Sequence, residues 1–443
     1  MELRDLIVTP ILIIIVFVVA YVVRPYVTDG ITRRYFLPAL ALRILGALAL
    51  GFIYQYYYDG GDTYNYHTHG SRHMWEAFMD SPGKGFQIFW HGSSDLTGVY
   101  QYASRIVFLD DPGSFMIVRL AFLGDILTFS SYSATAVLFS IFSFIGMWMF
   151  FLTFYNKYPH LHRRLAIAAF FIPSAFFWGS GLLKDTVTLG CLGIAVYAAD
   201  QIFIRSRVNP IKLTLLILSL ILLYKIKVYI LMALLPAAIV WIFLSRIQSI
   251  RYTVVKFVLF PVALVLSIGL GFFAMIRTGA SSEKYSIDNI ARTAQITAYD
   301  IRYYTGKDAG SGYSIGELDG TWQSMVRLAP AAVNATLFRP YLWEVKNPLM
   351  LLAALEAFLF LIGVLYIVFT TRSALFRGLR NPDVLFMLMF SLTFAFAVGV
   401  STFNFGTLVR YKIPLLPFFG VMLTLMLDYS KSLRKLPALD WTE

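Results

Sequence analysis

"MELRDLIVTPILIIIVFVVAYVV", residues 1–23, carries no charge after Asp5. It lacks the strongly basic start and the small-residue cleavage site of an export signal, so it reads as a retained membrane span. Similar apolar runs recur at 36–54, 131–155, 165–180, 187–204, 213–224, 228–245, 253–276, 347–370, 384–400 and 413–428, with the first lying at 6–23. A full crossing takes about 20 apolar residues. The runs 165–180 and 213–224 are short for that, which predicts tilted, broken or re-entrant helices. The stretch "SFMIVRLAFLGDILT" (114–128) holds Arg119 and Asp125 and reads as an interfacial or partly inserted helix.

Composition agrees. The 443 residues are 58% hydrophobic and 14% charged, against about 25% charged in soluble domains. The expected fold is all-α: a polytopic membrane helix bundle of about 11 spans with extracytoplasmic juxtamembrane helices. It would form a single integral membrane domain over 1–443. Cys191 is the sole cysteine, so no disulfide framework exists. The net charge of +12 is scattered between spans and not gathered on one basic face, which argues against nucleic acid as a partner.

Loop charges orient the bundle. Segments 24–35, 156–164, 205–212, 246–252 and 371–383 and the C-terminal tail hold repeated Lys and Arg, such as Arg33 and Arg34 or Arg163 and Arg164. The positive-inside rule makes that side cytoplasmic, with the N-terminus outside and the C-terminus inside a plasma membrane. Two large loops, 55–130 and 277–346, then face outward. Both alternate aromatic and polar residues, as in "MWEAFMD", a pattern suited to helices lying on a membrane surface.

The richest chemistry opens the first outer loop. "YYYDGGDTYNYHTHG" (56–70) sets Asp59 and Asp62 two glycines apart. Glycine lets the backbone bend and approach a ligand closely. Two such carboxylates can converge on an acceptor hydroxyl, with one as general base, or on a divalent cation such as Mg or Mn. The spacing matches no set metal motif, and Asp62 equally suits a helix cap. His67, His69 and His73 follow. Farther on, "PSAFFWGSGLLKDTVTLG" (173–190) interrupts an apolar run and places Lys184 and Asp185 in the break. Broken helices at membrane depth usually border a cavity or site, although an outer turn with a Lys–Asp pair would look the same.

Three further stretches carry charge. "LLYKIKVYI" (222–230) sets Lys225 and Lys227 between apolar segments, either for phosphate or merely snorkelling. "TLFRPYLWEVKNPLMLLAALEAF" (336–358) holds Arg339 and Glu344, and leads to Glu356, which could pair with Arg43 in the second span. "NFGTLVRYKIPLLPF" (404–418) puts Arg410, Tyr411 and Lys412 at the mouth of the last span, for a lipid phosphate or as an interfacial anchor. No Walker A loop, GxSxG elbow, HExxH pair or dinucleotide fingerprint occurs, which argues against ATP-driven transport and ordinary hydrolysis.

Taken together, the acidic start of the first outer loop and the late "RYKIPLLPF" resemble the GT-C superfamily of polytopic glycosyltransferases. Those enzymes transfer sugar from a polyprenyl-phosphate donor on the extracytoplasmic face. "GGDT", "SGLLKD" and "FRPYLWE" are also similar to pieces of bacterial polysaccharide-assembly membrane proteins. The resemblance implies a glycosyltransferase that moves a hexosyl or pentosyl group to a glycan or lipid-linked acceptor in cell-envelope polysaccharide biosynthesis. It implies Asp62 as base, Asp59 as support or metal ligand, and Lys184, Lys225, Lys227 and Arg410 at the lipid phosphate. His67, His69, His73, Arg339 and Glu344 would contact acceptor or donor. The chain departs from the family in placing its acids after the second span, and as Asp-Gly-Gly-Asp in place of adjacent acids. Alternative readings are a polymerase or ligase using polyprenyl-pyrophosphate-linked oligosaccharides, and a transporter or flippase for a lipid-linked sugar; no internal repeat supports the transporter.

Overall fold

The structure is a computed structural model describing residues 2–248, 250, 253–280, 283–286, 288–303, 311–371 and 375–435. Arg251 and Arg372, two of the charges used for orientation, lie outside these residues. Every regular element among the described residues is helical, and a lone bridge joins Gly312 to Asn404.

Among the described residues, eight helices are long and apolar enough to cross a membrane: Leu3–Val27, Arg33–Tyr56, Tyr132–Tyr155, Lys184–Ile204, Pro210–Gln248, Met350–Thr371, Pro382–Val400 and Ile413–Ser430. The expected count of about 11 differs from this at three places. First, runs 213–224 and 228–245 are two helical stretches within Pro210–Gln248, parted by a kink at Lys227 (φ −148°, ψ 80°), and count there as one. Second, the run 165–180 is split into His162–Phe170 and Pro173–Trp178; Pro173 has no N–H to continue the first helix and starts the second. Third, run 253–276 forms the helix Thr253–Ala280, 28 residues long, whose first part lies outside the residues over which the eight are counted. The stretch 114–128 forms the helix Pro112–Thr128, with Asp125 fully buried.

The chain forms two compact units that alternate along the sequence. Unit 1 comprises Met1–Lys157, Ala175–Ala198 and Pro210–Lys227; unit 2 comprises Tyr158–Ser174, Ala199–Asn209 and Val228–Glu443. In unit 1, helix Arg33–Tyr56 packs on Tyr132–Tyr155, with Phe36 edge-on to Phe144 at 5.2 Å and to Trp148 at 4.9 Å. Glycines let helix Lys184–Ala199 reach the backbone of Tyr132–Tyr155. A methyl group on Gly146 would lie 2.1 Å from the Gly190 carbonyl oxygen, and one on Gly193 would lie 2.0 Å from that of Gly146. Such small-residue seams replace the hydrophobic driving force that is missing inside a bilayer.

Unit 2 uses the same device. A methyl group on Gly399 would lie 2.3 Å from the Ala332 carbonyl oxygen. Trp241 stacks on Phe386 at 4.4 Å and donates its Nε1–H to Asp383 at 2.7 Å, while the Tyr158 hydroxyl donates to the same carboxylate at 2.8 Å.

Candidate functional site: an acid and cation cluster in unit 1

The Asp-Gly-Gly-Asp turn is built from three successive positive φ angles: 52° at Asp59, 118° at Gly60 and 120° at Gly61. Only glycine adopts the last two without strain, and Asp tolerates the first better than most residues. The Gly60 N–H closes the turn on the Tyr54 carbonyl at 2.9 Å. This leaves Asp59 exposed and makes Asp62 the half-buried first residue of helix Asp62–Tyr66.

That short helix is pinned from below. The Thr63 and Tyr132 hydroxyls are 2.8 Å apart, the Tyr64 ring stacks on Tyr132 at 4.4 Å, and the Tyr64 hydroxyl donates to the Gly51 carbonyl at 3.2 Å. Burial pushes the Tyr64 phenol up to about 12, so it stays a donor at neutral pH.

Lys184, the first residue of helix Lys184–Ala199, places its Nζ 3.2 Å from Asp111 Oδ2 and lies within electrostatic reach of Asp62 and Lys227. Asp111 caps helix Pro112–Thr128. It accepts from the Gly113 N–H at 3.3 Å and from the Ser114 hydroxyl. Burial raises its carboxyl, but Ser114, Lys184 and the Gly113 amide together hold it below the usual range. A methyl group on Gly113 would lie 3.1 Å from the Ile226 carbonyl oxygen and 3.4 Å from Lys184 Nζ, so the two helix ends meet closely here. Lys227, at the interruption of Pro210–Gln248, binds Asp185 Oδ1 at 2.5 Å with both side chains buried. Lys225, two residues earlier, is exposed.

Unit 1 therefore brings together Lys184, Asp111 and the Lys227–Asp185 pair, and the charge of Asp62 acts on Lys184. Sequence reasoning missed Asp111. Its signal is "DPGS" (111–114), an aspartate just before a proline at the first helical position.

The histidines separate. His67 is fully buried, with Nε2 3.2 Å from Asp125 Oδ1, and Asp125 also accepts from the Ser71 and Thr135 hydroxyls at 2.6 and 2.8 Å. His73 is buried with Nδ1 3.1 Å from Glu76. Burial pulls its imidazole below the ordinary value, against the pull of Glu76. Only His69 of the three is exposed. Among the described residues no group of three or more His, Cys, Asp or Glu could hold a metal ion.

Arg339, Glu344 and Arg410 belong to unit 2. Arg339 Nε lies 3.1 and 3.0 Å from the two Glu344 carboxylate oxygens, and its guanidinium sits over Tyr313 at 4.8 Å and over Phe405 at 5.0 Å. Glu344 Oε2 also accepts from the Tyr341 N–H at 2.8 Å, closing the turn on itself. Arg410 is half-buried, and its neighbour Lys412 is fully buried with Nζ 3.5 Å from the Arg339 carbonyl oxygen.

Arg43 and Glu356, expected as a pair, belong to different units, and each has partners inside its own. Glu356 accepts from the Ser174 N–H at 2.8 Å and feels the charge of Lys412. Arg43 donates to the Ala175 and Gly179 carbonyls at 3.1 and 2.9 Å. Backbone groups of the broken stretch 174–179 supply these partners, and no sequence pattern identifies them. No protein-family model, curated protein or solved structure matches this chain, so its functional reading rests on its own residues.

Proposed function

We propose that this protein is a membrane glycosyltransferase that moves a sugar from a polyprenyl-phosphate donor to a glycan or lipid-linked acceptor on the extracytoplasmic face. The observation that carries the reading is the Lys184–Asp111 contact beside the Lys227–Asp185 pair in unit 1, with the charge of Asp62 acting on Lys184. A carboxylate and an ammonium that share a site are what such a transfer needs. Asp62 removes the acceptor's hydroxyl proton as that oxygen bonds to the anomeric carbon. The bond from that carbon to the phosphate oxygen breaks, and polyprenyl phosphate leaves with the electron pair. Lys184, released from Asp111, and exposed Lys225 neutralise the phosphate, the chief electrostatic demand of the step. A Mg or Mn ion on Asp59 and Asp62 would complete its shell from water and phosphate, as Mg commonly does.

The proposal includes a plasma-membrane location with the N-terminus outside. It also keeps about 11 crossings, with Pro210–Gln248 making two, because 39 residues exceed one crossing of about 20.

The test uses the full chain in lipid nanodiscs with labelled polyprenyl-phosphate sugars. Asp62→Asn is expected to lower transfer by about 10²–10⁴-fold, the usual worth of a general base. Lys184→Met is expected to raise the donor KM. Full activity in Asp62→Asn removes the proposed chemistry. In sealed proteoliposomes, sugar-lipid flux that survives Asp62→Asn but fails in Lys184→Met points to a transporter instead.

A further inference from the structure

Arg43 sits ten residues into helix Arg33–Tyr56, about 15 Å along it and near the middle of a helix of span length. It is 1% exposed. A buried guanidinium is costly and ordinarily answered by a carboxylate. Among the described residues of unit 1 no carboxylate forms an ion pair with it, and Nε and Nη2 have no hydrogen-bond partner among the described residues. All its bonds run from Nη1: to the Gly179 carbonyl at 2.9 Å, the Ala175 carbonyl at 3.1 Å and the Ser143 hydroxyl at 3.3 Å. Ser143 in turn donates to the Gly179 carbonyl at 2.7 Å.

Those carbonyls belong to the broken stretch. Helix Pro173–Trp178 ends just before Gly179, and the next helix begins only at Lys184. The Ala175 carbonyl also accepts the Gly179 N–H at 3.2 Å, whereas the Gly179 carbonyl is past the helix end and needs donors from the protein, because lipid offers none. The approach is close. A methyl group on Gly179 would lie 2.9 Å from Arg43 Nη1, one on Gly46 would lie 2.7 Å from the Phe176 carbonyl oxygen, and one on Gly181 would lie 2.7 Å from Leu50 Cδ2. Arg43, Gly46 and Leu50 thus form one face of their helix, shaped to the break.

We infer that Arg43 is a positioning residue: it holds the Gly179 end of the "SGLLKD" loop and so sets where Lys184 and Asp185 stand. The inference deepens the glycosyltransferase reading but carries its own test. Backbone hydrogen exchange of the full chain in nanodiscs is followed alongside binding of a short-chain polyprenyl phosphate. In Arg43→Met, exchange at 179–185 is expected to rise about tenfold while the rest of unit 1 stays near wild type, as a local opening does. Binding is expected to weaken by a similar factor. Arg43→Lys, which keeps a cationic donor, should recover most of both. Gly179→Ala keeps Arg43 but displaces the loop, and should give the same local signature. Unchanged exchange at 179–185 in Arg43→Met overturns the inference. So does a rise spread evenly through unit 1, which would make Arg43 a general stabiliser. If wild type binds no polyprenyl phosphate, the functional reading falls while the exchange result still decides the role of Arg43.

Discussion

Lys184 and Asp185 are neighbours in sequence and suggest a pair. In the fold they part: Lys184 meets Asp111 and Asp185 meets Lys227. Consecutive residues on a helix do not face one another, so each takes its partner from elsewhere in unit 1. The buried Lys227–Asp185 pair yields a stability prediction. Lys227→Met alone leaves a buried carboxylate uncompensated and should cost about 3–5 kcal/mol, whereas Lys227→Met with Asp185→Leu should recover most of it. Thermal unfolding in detergent reads this; equal midpoints for the single and double variants would contradict it. Asp111 gives a pH dependence. Its carboxyl is held below the ordinary value in the folded chain, so its contribution is complete above the unfolded value of about 3.9 and is lost as pH falls through the folded one. The carboxylate is 53% exposed, which keeps the effect small. Asp111→Asn should lose less stability than wild type between pH 7 and pH 3, measured as the shift in thermal midpoint.

Among the elements, the long apolar helices were legible because hydrophobicity accumulates along a continuous run. The breaks were half legible. Proline and glycine at 173–181 announced one, and the structure ends a helix there. Lys227 leaves the helical conformation with no proline or glycine beside it, so local propensity does not signal it. The widened turn His67–Ser71 is likewise silent in sequence except for Gly70, where a methyl group would lie 2.7 Å from the Asn65 carbonyl oxygen. Such turns recur at functional sites. The glycine seam between Tyr132–Tyr155 and Lys184–Ala199 carries the element-scale prediction. Gly146→Val forces apart two backbones in contact, and should cost at least the roughly 1–3 kcal/mol typical of overpacking. Gly269, where a methyl group would meet nothing within 4 Å, should tolerate alanine with only a small change. A comparison of their thermal midpoints checks the pair.

For the whole molecule, the lone cysteine Cys191 is buried, so a Cys191→Ala background suits a topology test. Under the proposed orientation, Ser94→Cys should react with a membrane-impermeant maleimide on intact cells, and Ser206→Cys only after permeabilisation. Both serines are exposed. The opposite pattern would invert the orientation. The sequence by itself determined the class of protein, because apolar runs of span length have no stable alternative to helices in a bilayer. It also singled out Asp62 and Lys184 by type. Which charges meet was decided only by the tertiary structure. Asp111 reaches Lys184 from 73 positions away, Asp185 reaches Lys227 from 42, and Arg43 reaches the Gly179 carbonyl from 136. Contacts across such separations depend on how helices pack, and helix packing is set by the shapes of many side chains together and not by any one motif.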